Sequence, residues 1–248
     1  MIDIHNHLLW GVDDGAKDFA SALTFLQEAC EDGVKKVILT PHFMKHSPYR
    51  LGAAALRERF AAFKEAVGEE VDIELFLGNE LYIDKELDDL LLEGAILSLD
   101  DSRYVLVEFP FGEYRDEYDE YLYNLRIAGF RVIIAHPERY KYVNDDKNFV
   151  KRWTDNGYLL QINQNSLTKH DKRHMIYDWI MKGYVYFIAS DAHNEYRPCI
   201  LSDAYKNIAK NFSKDIAERL LVNNPECILE NKDISEMPII KKKFLGIF

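Results

Sequence analysis

The chain alternates between short, strongly apolar runs and longer segments in which apolar residues recur every three or four positions. Each short run holds four to six residues and is rich in valine, isoleucine and leucine, which is typical of a strand buried on both faces. The predicted strands are Ile2–His5, Lys36–Thr40, Ile73–Leu77, Tyr104–Phe109, Arg131–Ala135, Leu159–Ile162 and Val185–Ala189.

The longer segments are predicted to be amphipathic helices. In the first of them, Phe19, Leu23 and Leu26 lie on one face. Gly33 follows in the position of a helix C-cap. The predicted helices are Phe19–Asp32, Leu56–Val67, Lys85–Leu92, Glu117–Ala128, Lys147–Asn156, Asp171–Met181, Ser202–Asn211 and Lys214–Asn223.

This alternation of strands and helices predicts parallel strands joined by crossover helices. Seven such units follow one another without a break in composition, so we expect one closed or nearly closed α/β barrel. We assign residues 1–248 to this single domain. Residues 226–248 form a C-terminal tail whose packing the sequence leaves open.

The net charge of the 248-residue chain is −11, from 42 acidic and 31 basic side chains. An acidic chain lacks the positive footprint that broad nucleic-acid binding requires, so we expect no nucleic-acid partner. An anionic substrate must then be met by local positive charge, from metal ions or from individual arginines.

Cysteine usage and hydropathy predict a reduced, cytoplasmic protein. The three cysteines are odd in number and widely spaced, which indicates no disulfide framework. The first predicted strand starts at Ile2, which leaves no room for a signal peptide. No apolar run approaches the ~18 residues of a membrane span. The tail from Ile239 to Phe248 is basic and then apolar; we expect it to pack or fray, and a membrane or partner contact is the alternative.

Histidine and carboxylate side chains stand at the ends of six of the seven predicted strands, or in the loops that follow. In a parallel α/β barrel the carboxyl ends of the strands converge at one mouth. We therefore expect these side chains to line one cleft. The nine candidates are His5, His7, Asp14, His42, Glu80, Glu108, His136, Asp191 and His193.

The joint pattern of these residues predicts metal binding, although each of them alone is weak evidence. Asp14, beside Asp13, has the alternative role of a turn or helix-cap aspartate. Four carboxylates crowded at one mouth repel one another unless cations are present. Residues i and i+2 of a strand face the same way, so His5 and His7 address one ion together. Nine ligands suit two or three ions, and nitrogen and oxygen ligation without thiolates suits manganese, iron or zinc.

Other candidates receive a structural interpretation. His46, His170 and His174 lie in a loop or on a polar helix face, where we expect them to be exposed. The tyrosine-rich stretch Tyr114–Tyr123 has helical spacing, so we expect packing rather than a phosphotyrosine platform. The sequence holds no cysteine-phosphatase, aspartyl-phosphatase, P-loop or GxSxG motif.

Several stretches together resemble the polymerase-and-histidinol-phosphatase (PHP) superfamily of metal-dependent phosphoesterases. They are DIHNH, DDG, TPH, GNE, VEF, AHPERY and ASDAHN. More closely, IDIHNHLLWGVDDGAK, LDDSRYVLVEF and HNEYRP resemble the bacterial protein-tyrosine phosphatases of capsule and exopolysaccharide loci. The resemblance covers nearly the whole chain. It implies a distorted (β/α)7 TIM-like barrel, the PHP fold, with a manganese-preferring trinuclear site at the C-terminal strand ends.

The resemblance also implies roles for individual residues. One ion would take His5, His7, Glu80 and Asp191; a second Glu80, Glu108 and His136; a third Asp14, His42 and His193. Arg139 and Arg197 match the family's phosphate-holding arginines, and the planar guanidinium fork binds phosphate through two hydrogen bonds. Their alternative role is surface ion pairing.

We therefore predict a manganese-dependent protein-tyrosine phosphatase. The resemblance implies as its substrate a bacterial tyrosine kinase that controls capsule or exopolysaccharide synthesis. One alternative is a small-molecule phosphatase such as histidinol-phosphate phosphatase. A nuclease is disfavoured by the acidic charge. A non-catalytic metal-binding module that recruits a kinase is disfavoured by the intact set of nine candidate ligands.

Overall fold

The computed structural model describes residues 1–146 and 148–240. Its strands are short and lie close to the predicted apolar runs. They are β1 (Ile2–Asp3), β2 (Lys36–Leu39), β3 (His42–Phe43), β4 (Glu74–Leu77), β5 (Glu80–Tyr82), β6 (Tyr104–Glu108), β7 (Arg131–Ala135), β8 (Leu159–Asn163) and β9 (Val185–Ala189).

The strands form two parallel sheets. One has the order β1-β2-β4, and the other has the order β3-β5-β6-β7-β8-β9. Neighbouring strands are parallel in every described pair of the two sheets. The predicted α/β class with parallel strands is confirmed.

Two of the predicted strands are each followed by a short strand that was not predicted. β3 follows β2 after two residues, and β5 follows β4 after two residues. Because β2 pairs with β4 and β3 pairs with β5, the two breaks lie side by side. β4 ends at Leu77 as predicted and β2 ends at Leu39, one residue before the predicted Thr40, but pairing resumes past both breaks. His42 and Glu80 lie in these short paired strands and not in loops.

The first and last strands of the fold meet just beyond their carboxyl ends. The Asp191 amide donates to the His5 carbonyl at 2.8 Å, and the His7 amide donates to the Ala192 carbonyl at 2.8 Å. Asn6 and Ala192 form an isolated parallel bridge. These bonds bring residues from opposite ends of the chain to one place.

The described helices include one for each of the eight predicted segments and two, at Lys141–Asp145 and Asn224–Leu229, that were not predicted. In chain order, the described helices are α1 (Phe19–Glu31), α2 (Ala53–Val67), α3 (Leu87–Leu92), α4 (Glu117–Ile127), α5 (Lys141–Asp145), α6 (Phe149–Asp155), α7 (His170–Met181), α8 (Ser202–Asn211), α9 (Lys214–Glu218) and α10 (Asn224–Leu229). Two differences concern the ends of helices. The predicted helix at Lys147 begins at Phe149, and Lys147 itself lies outside the described residues. α9 ends early because a π-helical turn, Arg219–Asn223, follows it.

A compact apolar cluster occupies the space between the strands below their carboxyl ends. It contains alternate residues of several strands, such as Leu106 on β6 and Ala189 on β9, together with Ile228 from α10. A larger cluster packs the helices against the outer faces of the strands. Side chains of one strand alternate between the two clusters, as the period of two requires.

The described part of the predicted tail packs against the rest of the chain. Ile234 and Met237 are buried, and the Ile240 amide donates to the Met181 carbonyl at 2.8 Å. The remainder of the tail, residues 241–248, holds most of its basic and apolar stretch and lies outside the described residues.

Gly78 lies in the break between β4 and β5, and a substitution there tests how closely the chain packs at the break. Its amide donates to the Leu39 carbonyl at 2.8 Å. An added Cβ would lie 2.9 Å from the Leu99 Cδ2 atom and 3.0 Å from the Leu99 Cα atom. We expect Gly78→Ala to lower the free energy of unfolding by about 1–3 kcal/mol, because overpacking forces the backbone to shift.

Urea denaturation measures this change. Gly112→Ala is the matched control, because nothing lies within 4 Å of the Cβ that it adds. The control should remain within about 1 kcal/mol of the unmodified protein. Equal unfolding free energies for the two variants would show that the break tolerates a side chain.

Candidate metal centre

The structure brings all nine candidate residues together at the carboxyl ends of the strands. Seven of them line a cleft of about 300 Å³. The other two, His5 and His7, lie beneath it, and each has its Nε2 atom 3.2 Å from a Glu80 carboxylate oxygen. Both histidines are fully buried.

Glu80 is the centre of the cluster. Besides His5 and His7, its carboxylate contacts His136, whose Nε2 atom lies 3.0 Å from Oε1, and His42, whose Nδ1 atom lies 3.0 Å from Oε2. Burial alone would raise the pKa of Glu80. The neighbouring His5 and His42 imidazoles and the hydrogen bond from His136 outweigh burial and hold that pKa well below its usual range. One buried carboxylate thus stays ionised among four imidazoles.

A second group of ligand atoms lies nearer the mouth of the cleft. The His42 and His193 Nε2 atoms are each 3.6 Å from the Asp14 Oδ1 atom. The nearby His193 imidazole is the main reason why the pKa of Asp14 lies below its usual range. Asp14 is therefore a member of the cluster, while the turn role considered for it belongs to Asp13, whose Oδ1 accepts from the Gly15 amide at 3.0 Å.

The remaining carboxylates show how crowded the negative charge is. Burial, followed by the charge of Glu80, raises the pKa of Glu108 well above its usual range. Burial also acts against ionised Asp191, but His5 and His136 outweigh it and lower the pKa of Asp191. Burial and mutual repulsion thus oppose ionisation of neighbouring carboxyls, a conflict that cations would relieve.

The donor set fits divalent metal ions. Among the described residues, four overlapping groups have ligand atoms within 4.8 Å of one another; they are His7, Asp14, His42 and His193; His5, His7 and Glu80; His5, His136 and Asp191; and His42, Glu80 and Glu108. The buried His42 Nδ1 and Glu80 Oε2 atoms lie 3.0 Å apart, but neither has a hydrogen-bond partner in the described chain. Two such acceptor atoms converging without a proton donor are what a cation site requires.

The geometry does not separate the ligands into the three implied sets. His5 shares one group with His136 and Asp191, and His7 joins the group at the mouth. The division of the nine residues among individual ions therefore stays a prediction.

Two of the candidate ligands have left-handed backbone conformations. His136 has φ 32°, and Asp191 has φ 53°. His136 directly follows the last residue of β7, and Asp191 follows β9 after one residue. Non-glycine residues in this region are strained, and such strain is found where a site requires an unusual side-chain direction.

Three residues outside the predicted set, Asp13, Gln161 and Asn163, contact the candidate ligands or their partners and hold them in place. Asp13 Oδ2 lies 2.6 Å from the His7 Nδ1 atom, and Gln161 Oε1 lies 2.8 Å from the His5 Nδ1 atom. These contacts at Nδ1 leave each Nε2 atom free to coordinate a metal. Asn163 links Gln161 to the carboxylate cluster: its Oδ1 accepts from Gln161 at 2.9 Å.

Gln161 and Asn163 come from β8, which corresponds to the one predicted strand that has no candidate ligand at its end. The available signal was the pair of amides at i and i+2 in a strand that is otherwise apolar and buried. Asparagine and glutamine at such positions indicate an inward polar face. They do not reveal which groups that face will contact.

Both predicted arginines lie at the cleft. Arg139 donates from Nη1 to the Asp191 Oδ2 atom at 3.0 Å, and Arg197 pairs through Nη2 with the same oxygen. About one third of each side chain is exposed, so the two guanidinium groups remain accessible from the mouth. Their ion pairs are therefore directed at the cluster and not at the outer surface.

The residues given a structural interpretation agree with it. His46, His170 and His174 are exposed. Within the tyrosine-rich stretch, the Tyr114 ring lies 5.7 Å from the Phe109 ring, between centroids, and 5.9 Å from the Trp153 ring. The expectations of exposure for these histidines and of packing for Tyr114 are confirmed.

Comparison with known families gives the affiliation of the chain. A family model described as "Capsular polysaccharide synthesis, CpsB/CapC" matches residues 1–230. The chain belongs to the CpsB/CapC family. The predicted resemblance to the phosphatases of capsule loci is thereby confirmed.

Curated relatives in this family are similar over almost their full lengths. The tyrosine-protein phosphatase YwqE of Bacillus subtilis is 30% identical over 257 residues, which covers 100% of each chain. The tyrosine-protein phosphatase CpsB of Streptococcus pneumoniae is 31% identical over 239 residues, which covers 92% of this chain and 98% of that protein.

Solved structures support the same affiliation. A structure from the study of B. subtilis YwqE and S. pneumoniae CpsB, described as "unique metal-dependent tyrosine phosphatases", superposes with a TM-score of 0.90 at 30% identity, and covers 98% of this chain and 100% of that one. A phosphotriesterase homology protein from Escherichia coli, with a TM-score of 0.62 at 15% identity over 92% of this chain and 98% of its own, shares the fold. In the part of the chain that the structure describes, no helix is long and apolar enough to cross a membrane.

The contact between Asp13 and His7 can be tested by metal binding. We expect Asp13→Asn to weaken binding of Mn²⁺ by about 10- to 100-fold, because the neutral amide no longer fixes the His7 tautomer. Calorimetric titration of metal-stripped protein measures this loss. Asp18→Asn is the control, since Asp18 is an exposed helix cap that accepts from Ser21. Equal affinities in the two variants would contradict the role of Asp13.

Proposed function

We propose that this chain is a metal-dependent protein-tyrosine phosphatase. The observation that carries the proposal is the buried Glu80 carboxylate among four imidazoles, at the floor of a cleft that Arg139 and Arg197 enter. Nitrogen and oxygen ligands with nearby guanidinium groups suit phosphoester hydrolysis. The names of relatives that match this chain over nearly its whole length support phosphotyrosine as the substrate class.

We further propose that all nine candidate residues hold two or three divalent ions, with manganese preferred and iron or zinc as alternatives. When bound, such ions supply Lewis-acid polarisation of the phosphoryl oxygens and an activated water at neutral pH. The residues around them are already arranged for this purpose: Asp13 and Gln161 orient the two buried histidines that follow β1, and Asn163 donates to Asp191 at 2.6 Å.

The arginines contribute binding and orientation. Arg139 and Arg197 share one oxygen of Asp191 and keep part of each guanidinium exposed to the cleft. A phosphoryl group entering the cleft can accept from both, which holds it in one orientation. A phenolate leaving group has a pKa of ~10 and needs less protonation than an alkoxide, so tyrosine esters tolerate the lack of a dedicated acid.

The wider assignments rest on the same affiliation. We propose that the two parallel sheets make up one distorted (β/α)7 barrel in a single domain, supported by the bonds between the ends of β1 and β9. The proposed substrate protein is a bacterial tyrosine kinase of capsule or exopolysaccharide synthesis. A cytoplasmic location also stays a prediction.

The function is tested by initial rates on a phosphotyrosine peptide, a phosphoserine peptide and histidinol phosphate, after metal removal and resupply of manganese, zinc or magnesium. We expect manganese to restore hydrolysis with a preference for phosphotyrosine. His136→Ala should lower kcat/KM by about 100-fold or more, because removing a metal ligand weakens the site more than removing a residue that only holds a ligand in place. His174→Ala, an exposed histidine outside the cleft, is the control.

Each other outcome of these assays favours a specific alternative. Faster turnover of histidinol phosphate would replace the substrate class and leave the metal centre in place. A protein that is inactive with every metal and ester would be a binding module. Rates unaffected by His136→Ala would contradict the site itself.

The role of the arginines gives a separate prediction. We expect Arg139→Lys and Arg197→Lys each to lower kcat/KM by about 10- to 100-fold, because lysine keeps the charge but loses the two-pronged contact. The inhibition constant of inorganic phosphate should rise in parallel. Arg126→Lys, on the outer surface of α4, is the control. Full activity of both lysine variants would show that the arginines serve only as partners of Asp191.

A further inference from the structure

The cleft has an exposed aromatic ring on the side of β7. Phe111 is 43% exposed, although its ring lies beside the buried rings of His136 and Tyr140. Its ring centroid lies 4.6 Å from the Arg139 guanidinium carbon and 5.8 Å from the centroid of the His136 ring. Phe111 therefore borders both the phosphate-facing arginine and a candidate metal ligand.

A second aromatic ring borders the cleft on the side of β3. The Tyr49 ring is stacked on His42, with centroids 6.1 Å apart and an angle of 17° between the planes. Its loop is held by a hydrogen bond from the Met44 amide to the Tyr49 carbonyl at 2.6 Å. Both Tyr49 and Met44 line the cleft.

The two rings lie beside different histidines of the cluster. Tyr49 packs on His42 and Phe111 packs near His136, and these two histidines contact different oxygens of Glu80. His42 lies on β3 and His136 directly follows β7, three strands away in the order β3-β5-β6-β7. A planar group that descends toward Glu80 can therefore contact Tyr49 on the side of β3 and Phe111 on the side of β7.

The floor of the cleft is buried, whereas its rim is exposed. Glu80, His136 and Asp191 are each only 1% exposed, whereas Phe111 is 43% exposed. A phosphoryl group that reaches the buried residues passes Phe111 at the rim. In a phosphotyrosine residue the phenylene ring separates the phosphoryl group from the peptide backbone. A phosphoserine residue has no such spacer and would press its own backbone against the two rings.

We propose that Phe111 and Tyr49 form an aryl-binding subsite that holds the ring of an aryl phosphate ester and disfavours alkyl phosphates carried on a peptide. The inference deepens the proposed function and rests on it. Offset or edge contacts with two aromatic walls suit a phenyl ring, and the Arg139 guanidinium stacked on Phe111 places the phosphate-binding group beside that ring.

Binding of a non-hydrolysable probe tests the subsite without requiring turnover. The probe is a peptide containing phosphonomethyl-phenylalanine, titrated by calorimetry into manganese-loaded protein, with inorganic phosphate as the ringless comparison. Phe111→Leu and Tyr49→Leu keep an apolar side chain but remove the ring. We expect each to weaken peptide binding by about 3- to 10-fold, with phosphate affinity within about 2-fold of the unmodified protein.

Tyr123→Leu is the matched control. Tyr123 is 48% exposed and carries Arg126 at 5.3 Å from its ring centroid, so it copies the Phe111–Arg139 arrangement on a helix away from the cleft. We expect this variant to bind the peptide as the unmodified protein does. Unchanged peptide affinity in both cleft variants, or a loss of phosphate affinity equal to the loss of peptide affinity in both, overturns the subsite.

Hydrolysis provides the second measurement. The ratio of kcat/KM for the phosphotyrosine peptide to kcat/KM for the matched phosphoserine peptide should fall in both cleft variants and stay constant in Tyr123→Leu. A parallel fall for both peptides overturns the subsite and leaves the phosphatase in place. Ring-dependent binding of the phosphonate by a protein that hydrolyses neither peptide contradicts the proposed function and supports the subsite.

Discussion

The candidate metal centre depends on one buried carboxylate, that of Glu80, which four imidazoles contact. A carboxylate at 1% exposure is costly unless positive groups surround it, and here their field keeps the carboxyl ionised. The fold provides those groups from separate places: the segment that follows β1, the strand β3, and the residue that follows β7. The short strands after the breaks in β2 and β4 matter for this reason, since they bring His42 and Glu80 into register.

The same strands that build the apolar interior also build the site. Leu106 on β6 and Ala189 on β9 belong to the inner apolar cluster. Two residues after Leu106, at the end of β6, stands Glu108, while Asp191 lies just beyond the end of β9. Because side chains alternate with a period of two, the inward column changes from apolar to polar as it nears the cleft. Packing at one end of the column thus gives the ligands at the other end a rigid support.

Local patterns explain how much could be predicted. The apolar runs, the helical periodicity and the polar residues at the strand ends are all local, and they located the strands, most helix ends and all nine residues of the cluster. The supporting contacts are not local. Gln161 reaches His5 across 156 positions of sequence, and an amide has no chemical signature that names its partner. Likewise, the resumption of pairing at β3 and β5 depends on neighbouring strands, so short polar segments such as His42–Phe43 did not reveal it.

Asp191 connects the metal ligands with the phosphate-binding groups. Its Oδ1 atom faces the imidazoles, at 3.5 Å from His5 Nε2 and 3.5 Å from His193 Nδ1. Its Oδ2 atom accepts from both arginines. A cation held on the Oδ1 side would draw negative charge from this carboxylate and would weaken its hold on the guanidinium groups. Because one carboxylate faces both groups, occupancy of a metal site at the floor of the cleft would affect how the two arginines receive a phosphoryl group at its mouth.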